Sequence, residues 1–162
     1  AWLANVSLDA IEAAVRTFPG VEHRLEFVRE LDGIGYYNDS KATNVDATEK
    51  ALDAFEGGLW IILGGKDKQS DYRTLAGRLR DKARGILLIG MASAIIRRQL
   101  EEVEPGLPLR DCGTLAEAIR VGHAEGRRGD TVLLAPACAS FDQFQSYEHR
   151  GRVFKELVQN LE

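Results

Sequence analysis

Leu59-Trp60-Ile61-Ile62-Leu63-Gly64-Gly65-Lys66-Asp67-Lys68 is the stretch on which the fold turns. Five apolar residues in succession, too few for a helix and without alternation, read as a strand covered on both faces, the habit of parallel sheets. Two glycines end the strand and a charged loop follows. The same unit returns in the chain downstream, where Ile86-Leu87-Leu88-Ile89 and Thr131-Val132-Leu133-Leu134 are further short apolar runs, with a weaker strand near Leu109-Arg110-Asp111. Segments of helical period separate them. Val45, Thr48, Leu52 and Phe55 mark one, and Leu75, Leu79 and Ala83 the next. Ile95 to Val103 mark a third, Leu115 and Ile119 a fourth, opened by a Thr114–Glu117 capping box, and Val153, Phe154, Leu157 and Leu161 the last. Upstream, Leu25 to Leu31 and Ile34 to Tyr37 flank Asp32-Gly33, a strong hairpin signal. Before them Ser7 caps a helix carrying Leu8, Ile11, Val15 and Phe18, which Pro19-Gly20 stops. Strands alternating with helices imply an α/β fold, a parallel sheet of five to six strands with helices on both faces, preceded by a β-hairpin and a short helix.

Bulk composition fits one globular domain. The chain has 162 residues, 44% hydrophobic and 28% charged, with a net charge of −4, which excludes a broad binder of nucleic acid or of a membrane surface. No run is long and apolar enough to cross a bilayer, and the N-terminus lacks the order of a signal peptide, so a cytoplasmic protein is expected. Cys112 and Cys138 lack the spacing of a zinc or redox motif and read as free thiols. The chain opens at Ala1 and its one methionine is Met91, as expected of a segment of a longer protein.

Ligands of an open α/β sheet gather at the carboxyl ends of its strands. Three of the predicted strands are followed there by loops rich in functional side chains: Asn38-Asp39-Ser40-Lys41-Ala42-Thr43-Asn44, Gly64 to Lys68, and Pro136-Ala137-Cys138-Ala139-Ser140-Phe141-Asp142. Lysines, hydroxyls and helix-start N–H groups suit a small dianion or a phosphate, and Asp39 suits a ribose hydroxyl or a cation. Each has a plain structural reading beside this one. Asp39, Ser40, Thr43 and Asn44 can simply cap the next helix, Lys41 and Lys68 can be solvated surface lysines, and Gly64-Gly65 a turn instead of a close approach to a ligand. Gly64-Gly65-Lys66 is not a P-loop, since Asp67 stands where Ser or Thr is required. His23-Arg24, before the hairpin, offers a phosphate or carboxylate clamp, with surface exposure as the default. His123 and His149 show no ligand spacing, and no metal site is expected.

These same residues resemble the Mur ligases, the ATP-dependent amide-bond ligases of peptidoglycan precursor synthesis. The resemblance rests on Glu22-His23-Arg24-Leu25-Glu26, the run from Asn38 to Asn44, Gly64 to Lys68, Leu134 to Phe144, and Tyr147-Glu148-His149-Arg150-Gly151-Arg152-Val153-Phe154, in that order along the whole chain. Asp-Ser-Lys-Ala-Thr-Asn at 39–44 points within the family to the ligase that joins D-glutamate to UDP-N-acetylmuramoyl-L-alanine. The resemblance implies a three-domain monomer whose N-terminal domain holds the UDP-linked substrate and whose central domain holds ATP and Mg2+. It also implies that 21–162 form the Rossmann-like, amino-acid-binding C-terminal domain and that 1–20 are the tail of the central ATP-binding domain.

Carried over position by position, the resemblance assigns His23, Arg24 and Lys41 to catalysis, and Thr43, Lys68, Ser140 and Tyr147 (through its backbone) to D-glutamate. It assigns Arg24 and Asp39 to the phosphates and ribose of ATP. Tyr147 stands where phenylalanine is frequent in the family, and Leu31 where some members place a polar residue near adenine. The P-loop, the UDP-binding domain and the central metal ligands have no counterpart in the sequence, so the chain alone is expected to be inactive. The competing readings are a sister ligase for another amino acid, a non-catalytic Rossmann-type binding module, and an interaction domain.

Overall fold

The computed structural model describes residues 6–18 and 20–162. Six strands form one sheet: β1 (Glu26–Leu31), β2 (Ile34–Asn38), β3 (Leu59–Gly64), β4 (Ala83–Ile89), β5 (Leu109–Gly113) and β6 (Thr131–Leu134). Their order is β1-β2-β6-β3-β4-β5, with β1 antiparallel to β2 and every other neighbouring pair parallel. The expected hairpin does not stand before the sheet but within it, β2 being the first parallel strand and β1 an antiparallel edge. Asp32 (φ 54°) and Gly33 (φ 81°) make the turn, the two positive φ values that match a two-residue hairpin to the twist of its strands.

Every residue of β3 is buried, as its apolar run requires. Its side chains alternate between two cores. Leu59, Ile61 and Leu63 join a cluster with Leu52, Leu75, Leu79, Ile96 and Leu100. Trp60 and Ile62 join another with Leu115, Ile119, Phe154 and Val158. The first core lies under α2 (Val45–Asp53), α3 (Ala76–Lys82) and α4 (Ser93–Val103), the second under α5 (Leu115–Glu125) and α6 (Tyr147–Gln159). Helices thus cover both faces, and their apolar stripes supply the burial that propensity alone does not.

Local details depart from the periodicity in three places. Ala83 opens β4, where it pairs with Leu59, and does not close α3, which a 3-10 turn over Tyr72–Leu75 precedes. Leu161 lies beyond α6. Thr114 caps α5 by accepting the Glu117 N–H at 3.3 Å, but the Glu117 carboxylate turns to Arg120 at 2.6 and 2.8 Å and leaves the box half made. The first helix, α1 (Leu8–Thr17), is capped by Ser7 and has no buried residue, with Leu8, Val15 and Phe18 in solvent beyond or along it. Pro19, read as part of its stop, lies outside the described residues.

Gly64 ends β3 at φ 126°, and a Cβ there would collide with the carbonyl oxygen of Ile89 on β4. Left-handed strain and backbone overlap act together at this position, so Gly64→Ala is expected to cost at least about 3 kcal/mol of stability. Urea denaturation checks it, and a loss within experimental scatter would show that β3 and β4 can part at their carboxyl ends.

Candidate functional site

Because β6 inserts between β2 and β3, the three loops anticipated from the sequence leave neighbouring strands, and their backbones bond to one another. The N–H of Asp39 donates to Leu134 (2.8 Å), that of Gly64 to Pro136 (2.9 Å), that of Ala137 to Ala42 (2.9 Å) and that of Lys66 to Ala139 (2.8 Å). Gly64-Gly65 serves this approach of chain to chain. A Cβ on Gly65 would collide with the Ala139 carbonyl oxygen and lie 3.3 Å from Nη1 of Arg150.

The segment from Asn38 to Asn44 is more than a helix start. Asn44 alone caps α2, its Oδ1 accepting the Ala47 N–H at 2.8 Å, so the capping reading fails for Asp39, Ser40 and Thr43. Asn38 Oδ1 accepts the Ser40 N–H (3.1 Å), which fixes the amide so that Nδ2 donates to His23 Nδ1 (2.9 Å) and Glu26 (3.0 Å). His23 therefore carries its proton on Nε2. It is only 3% exposed, against the surface position expected for it, and burial depresses its pKa despite Glu22 and Glu26 nearby. Its ring packs on Gly151, where a Cβ would overlap it, so it supports the loop from behind. Ser40 Oγ donates to the carbonyl of Tyr147 (2.8 Å) and accepts from Arg150 Nε (3.0 Å).

At the mouth, exposed Lys41 places Nζ 3.5 Å from the Tyr147 hydroxyl and 5.4 Å from its ring centre. Beside it a cavity of about 270 Å3 is lined by Arg24, Leu25, Asp39, Lys41, Ala42 and Lys50. Three cations thus face one carboxyl. Asp39 is 6% exposed, and burial pushes its pKa up to about 6 against the pull of the Leu25 N–H and Arg24.

The other two loops are braced by a relay. Asp67 accepts the Tyr72 hydroxyl at 2.7 Å and the Ser70 N–H at 3.2 Å, while Cys138 Sγ lies 3.0 Å from the same hydroxyl. A phenol has one proton and a carboxylate only accepts, so the Cys138 thiol is the donor to Tyr72. Burial that raises this thiol to about 11 agrees with a protonated sulfur. Ser140 is buried, with its carbonyl accepting from Phe144 (2.9 Å), while Lys68 is exposed and Thr43 half-buried on the same edge.

The structure accordingly brings Lys41 and Tyr147 together, and Arg24 with Asp39. It sets Thr43, Lys68 and Ser140 on the loops of that edge and draws His23 into the interior. Sequence reasoning missed Lys50, Tyr72 and above all Arg150, since a helical arginine reads as a surface residue. The helical Gly151 beside it was the one available hint of close packing.

The residues do not fit a magnesium ion. Among the described residues the single group with three metal-type ligands is Glu22, His23 and Glu26, and Lys155 Nζ already occupies its carboxylates at 2.7 and 3.0 Å. A neutral, buried imidazole beside an ammonium is a poor partner for that ion.

A covered, mostly parallel sheet whose strand ends carry cations, hydroxyls and a desolvated carboxyl defines an α/β domain with a candidate anion-binding edge. Residues 23–138 match the family described as the Mur ligase, glutamate ligase domain, and the chain belongs to that family. Two curated relatives bear the name UDP-N-acetylmuramoylalanine–D-glutamate ligase. One, from Solibacter usitatus, is 61% identical over 98% of this chain and 35% of its own length. The other, from Acidobacterium capsulatum, is 54% identical over 98% of this chain and 34% of its own length. The chain thus spans about a third of the curated relatives it matches. Among solved structures, the fold is shared with UDP-N-acetylmuramate-alanine ligase from Thermotoga maritima, at a TM-score of 0.66 and 17% identity over 97% of this chain and 34% of that one. It is also shared with folylpolyglutamate synthase/dihydrofolate synthase from Yersinia pestis, at 0.62 and 17% over 94% and 35%.

Asp39 gives a signed pH dependence. Its pKa rises from 3.8 to about 6 on folding, so the folded protein keeps this proton longer, and Asp39 lowers stability progressively as pH rises through that window. Asp39→Asn removes the effect. The stability of the variant relative to wild type is expected to climb between about pH 4 and 6 and then level off. Thermal unfolding across that range checks it, and a difference that shrinks with rising pH would contradict the burial assigned to this carboxyl.

Proposed function

We propose that this chain is the amino-acid-binding third of an ATP-dependent ligase that adds D-glutamate to UDP-N-acetylmuramoyl-L-alanine in peptidoglycan precursor synthesis. The observation that carries the reading is the convergence of Lys41, Tyr147, Ser140 and the Lys68 loop on one sheet edge, in a chain 61% identical to a relative of that name. In this reaction the alanyl carboxylate takes the γ-phosphoryl group of ATP. The amine of D-glutamate then attacks the acyl carbon, the C–N bond forms, and the C–O bond to phosphate breaks. Holding a dianionic amino acid against an acyl phosphate needs fixed cations and hydroxyls in place before the reaction.

Lys68, Ser140 and Thr43, with the backbone at Tyr147, suit the carboxylates of D-glutamate, and Lys41 suits the reacting phosphoryl group. Arg24 and Asp39, on their shared cavity, suit the phosphates and ribose of ATP, and the neutral His23 orients the loop that carries them. Residues 1–20 belong to the tail of a preceding ATP-binding domain, which supplies Mg2+ ligands and most of the nucleotide site. The exposed apolar side chains of Leu8, Val15 and Phe18 favour such a neighbour. Residues 21–162 are the C-terminal domain, and the whole enzyme acts as a monomer in the cytoplasm.

Lys68→Ala and Ser140→Ala in the full-length enzyme are expected to raise KM for D-glutamate at least about tenfold, or about 1.4 kcal/mol. The isolated chain is expected to form no amide. Steady-state kinetics with D-glutamate, lysine and diaminopimelate decides the case. A preference for either diamino acid would reassign the chain to a sister ligase, and turnover indifferent to both substitutions would remove the site.

A further inference from the structure

Arg150 is the largest fully buried side chain among the described residues, and it is charged. It sits one turn into α6, three residues after Tyr147. Its guanidinium donates from Nε to Ser40 Oγ (3.0 Å), from Nη2 to the Ser40 carbonyl (2.9 Å) and from Nη1 to the Cys138 carbonyl (3.2 Å). None of these acceptors is anionic. Asp142 steadies the charge only through space, with no hydrogen bond between them, and burial pulls the Arg150 pKa down to about 10. A cation held in the interior without a bonded carboxylate is unfavourable for stability, and an apolar residue there would pack at lower cost. The acceptors explain its presence. One belongs to the loop after β2 and one to the loop after β6, and Nη1 fills the space that a side chain at Gly65, in the loop after β3, would enter. No other side chain described above bonds the loop after β2 to the loop after β6.

We propose that Arg150 is a positioning residue for the amino-acid site: its rigid fork sets the spacing between the Ser40–Lys41 turn and the Cys138–Ser140 turn, and through Ser40 it holds the Tyr147 backbone. The proposal rests on the D-glutamate reading given above. Lysine cannot substitute, because a single ammonium on a flexible stem does not span two carbonyls and a hydroxyl at once. Through Ser40 the fork holds the Tyr147 backbone and through Cys138 the turn that carries Ser140, so the property at stake is the distance between two groups assigned above to the carboxylates of D-glutamate. A misplacement there weakens capture of that substrate before it slows the bond-forming step.

The test is steady-state kinetics of the full-length enzyme containing this chain. Arg150→Lys is expected to raise KM for D-glutamate at least about tenfold, equivalent to about 1.4 kcal/mol, with KM for ATP and kcat at saturating D-glutamate close to wild type. Arg150→Gln is expected to raise the same parameter further. Folded variants with an unchanged KM for D-glutamate overturn the proposal, as does a uniform loss in every parameter that follows the fall in melting temperature. If both variants fail to fold, Ser40→Ala decides. It removes the hydroxyl between Arg150 and the Tyr147 carbonyl while keeping the guanidinium, and it must raise KM for D-glutamate in the same selective way. Lys68→Ala run alongside separates the two levels. A response at Lys68 without one at Arg150 or Ser40 refutes positioning alone. An enzyme that does not use D-glutamate refutes the functional reading, and positioning with it.

Discussion

The parallel ladder through β2, β6 and β3 is the constraint on which the molecule depends. Tyr37 lies opposite Leu133, and Leu133 opposite Ile61, so the last strand of the chain is clamped between the first two parallel strands. Only in this order do the loops after those strands become neighbours, and their carbonyls and N–H groups then satisfy one another across strand ends. The burial of both faces of β3 enforces the ladder, because its backbone groups have no water to turn to and must pair within the sheet.

Electrostatics at this edge follow from what the ladder conceals and what it leaves out. Lys41, Lys68 and Arg24 reach into solvent, where a charge costs little to hold and remains free for a ligand. Asp39, His23 and Arg150 are drawn inside, and each responds to desolvation in its own sense: the carboxyl rises, the imidazole falls and the guanidinium falls. Outward cations on a frame of inward, hydrogen-bonded polar groups form a surface that favours anions and resists deformation. It has one wall. The cavity beside Asp39 is open to solvent on its outer side.

Two networks brace the frame from opposite sides. Asn38 joins His23, Glu26 and the Ser40 N–H beneath the first loop, while Asp67, Tyr72 and Cys138 tie the second loop to the third. Proton counting makes each network directional, since the fixed amide of Asn38 leaves His23 Nδ1 as acceptor and the single proton of Tyr72 leaves the thiol as donor. Neither network touches the solvent-facing lysines. They act on the backbone from which those lysines extend, as supporting groups do where a site must be held in place before its ligand arrives.

The sequence by itself determined most of the strands and helices and the edge at which the polar loops meet, because apolar runs, helical periods and turn residues are local signals that survive any reasonable packing. The Asp32-Gly33 turn and the Leu59-to-Leu63 strand are examples, each read from a few adjacent residues. It also carried the family resemblance, through the motifs of those loops and of the last helix. Only the tertiary structure decided that β6 enters between β2 and β3, that the hairpin joins the sheet, that Asn44 and not Asp39 caps the helix, and that His23 and Arg150 turn inward. The reason is physical. Burial of a polar side chain depends on partners more than a hundred residues away, as with Arg150 and Ser40, and the spacing of residues along a chain carries no record of such a contact.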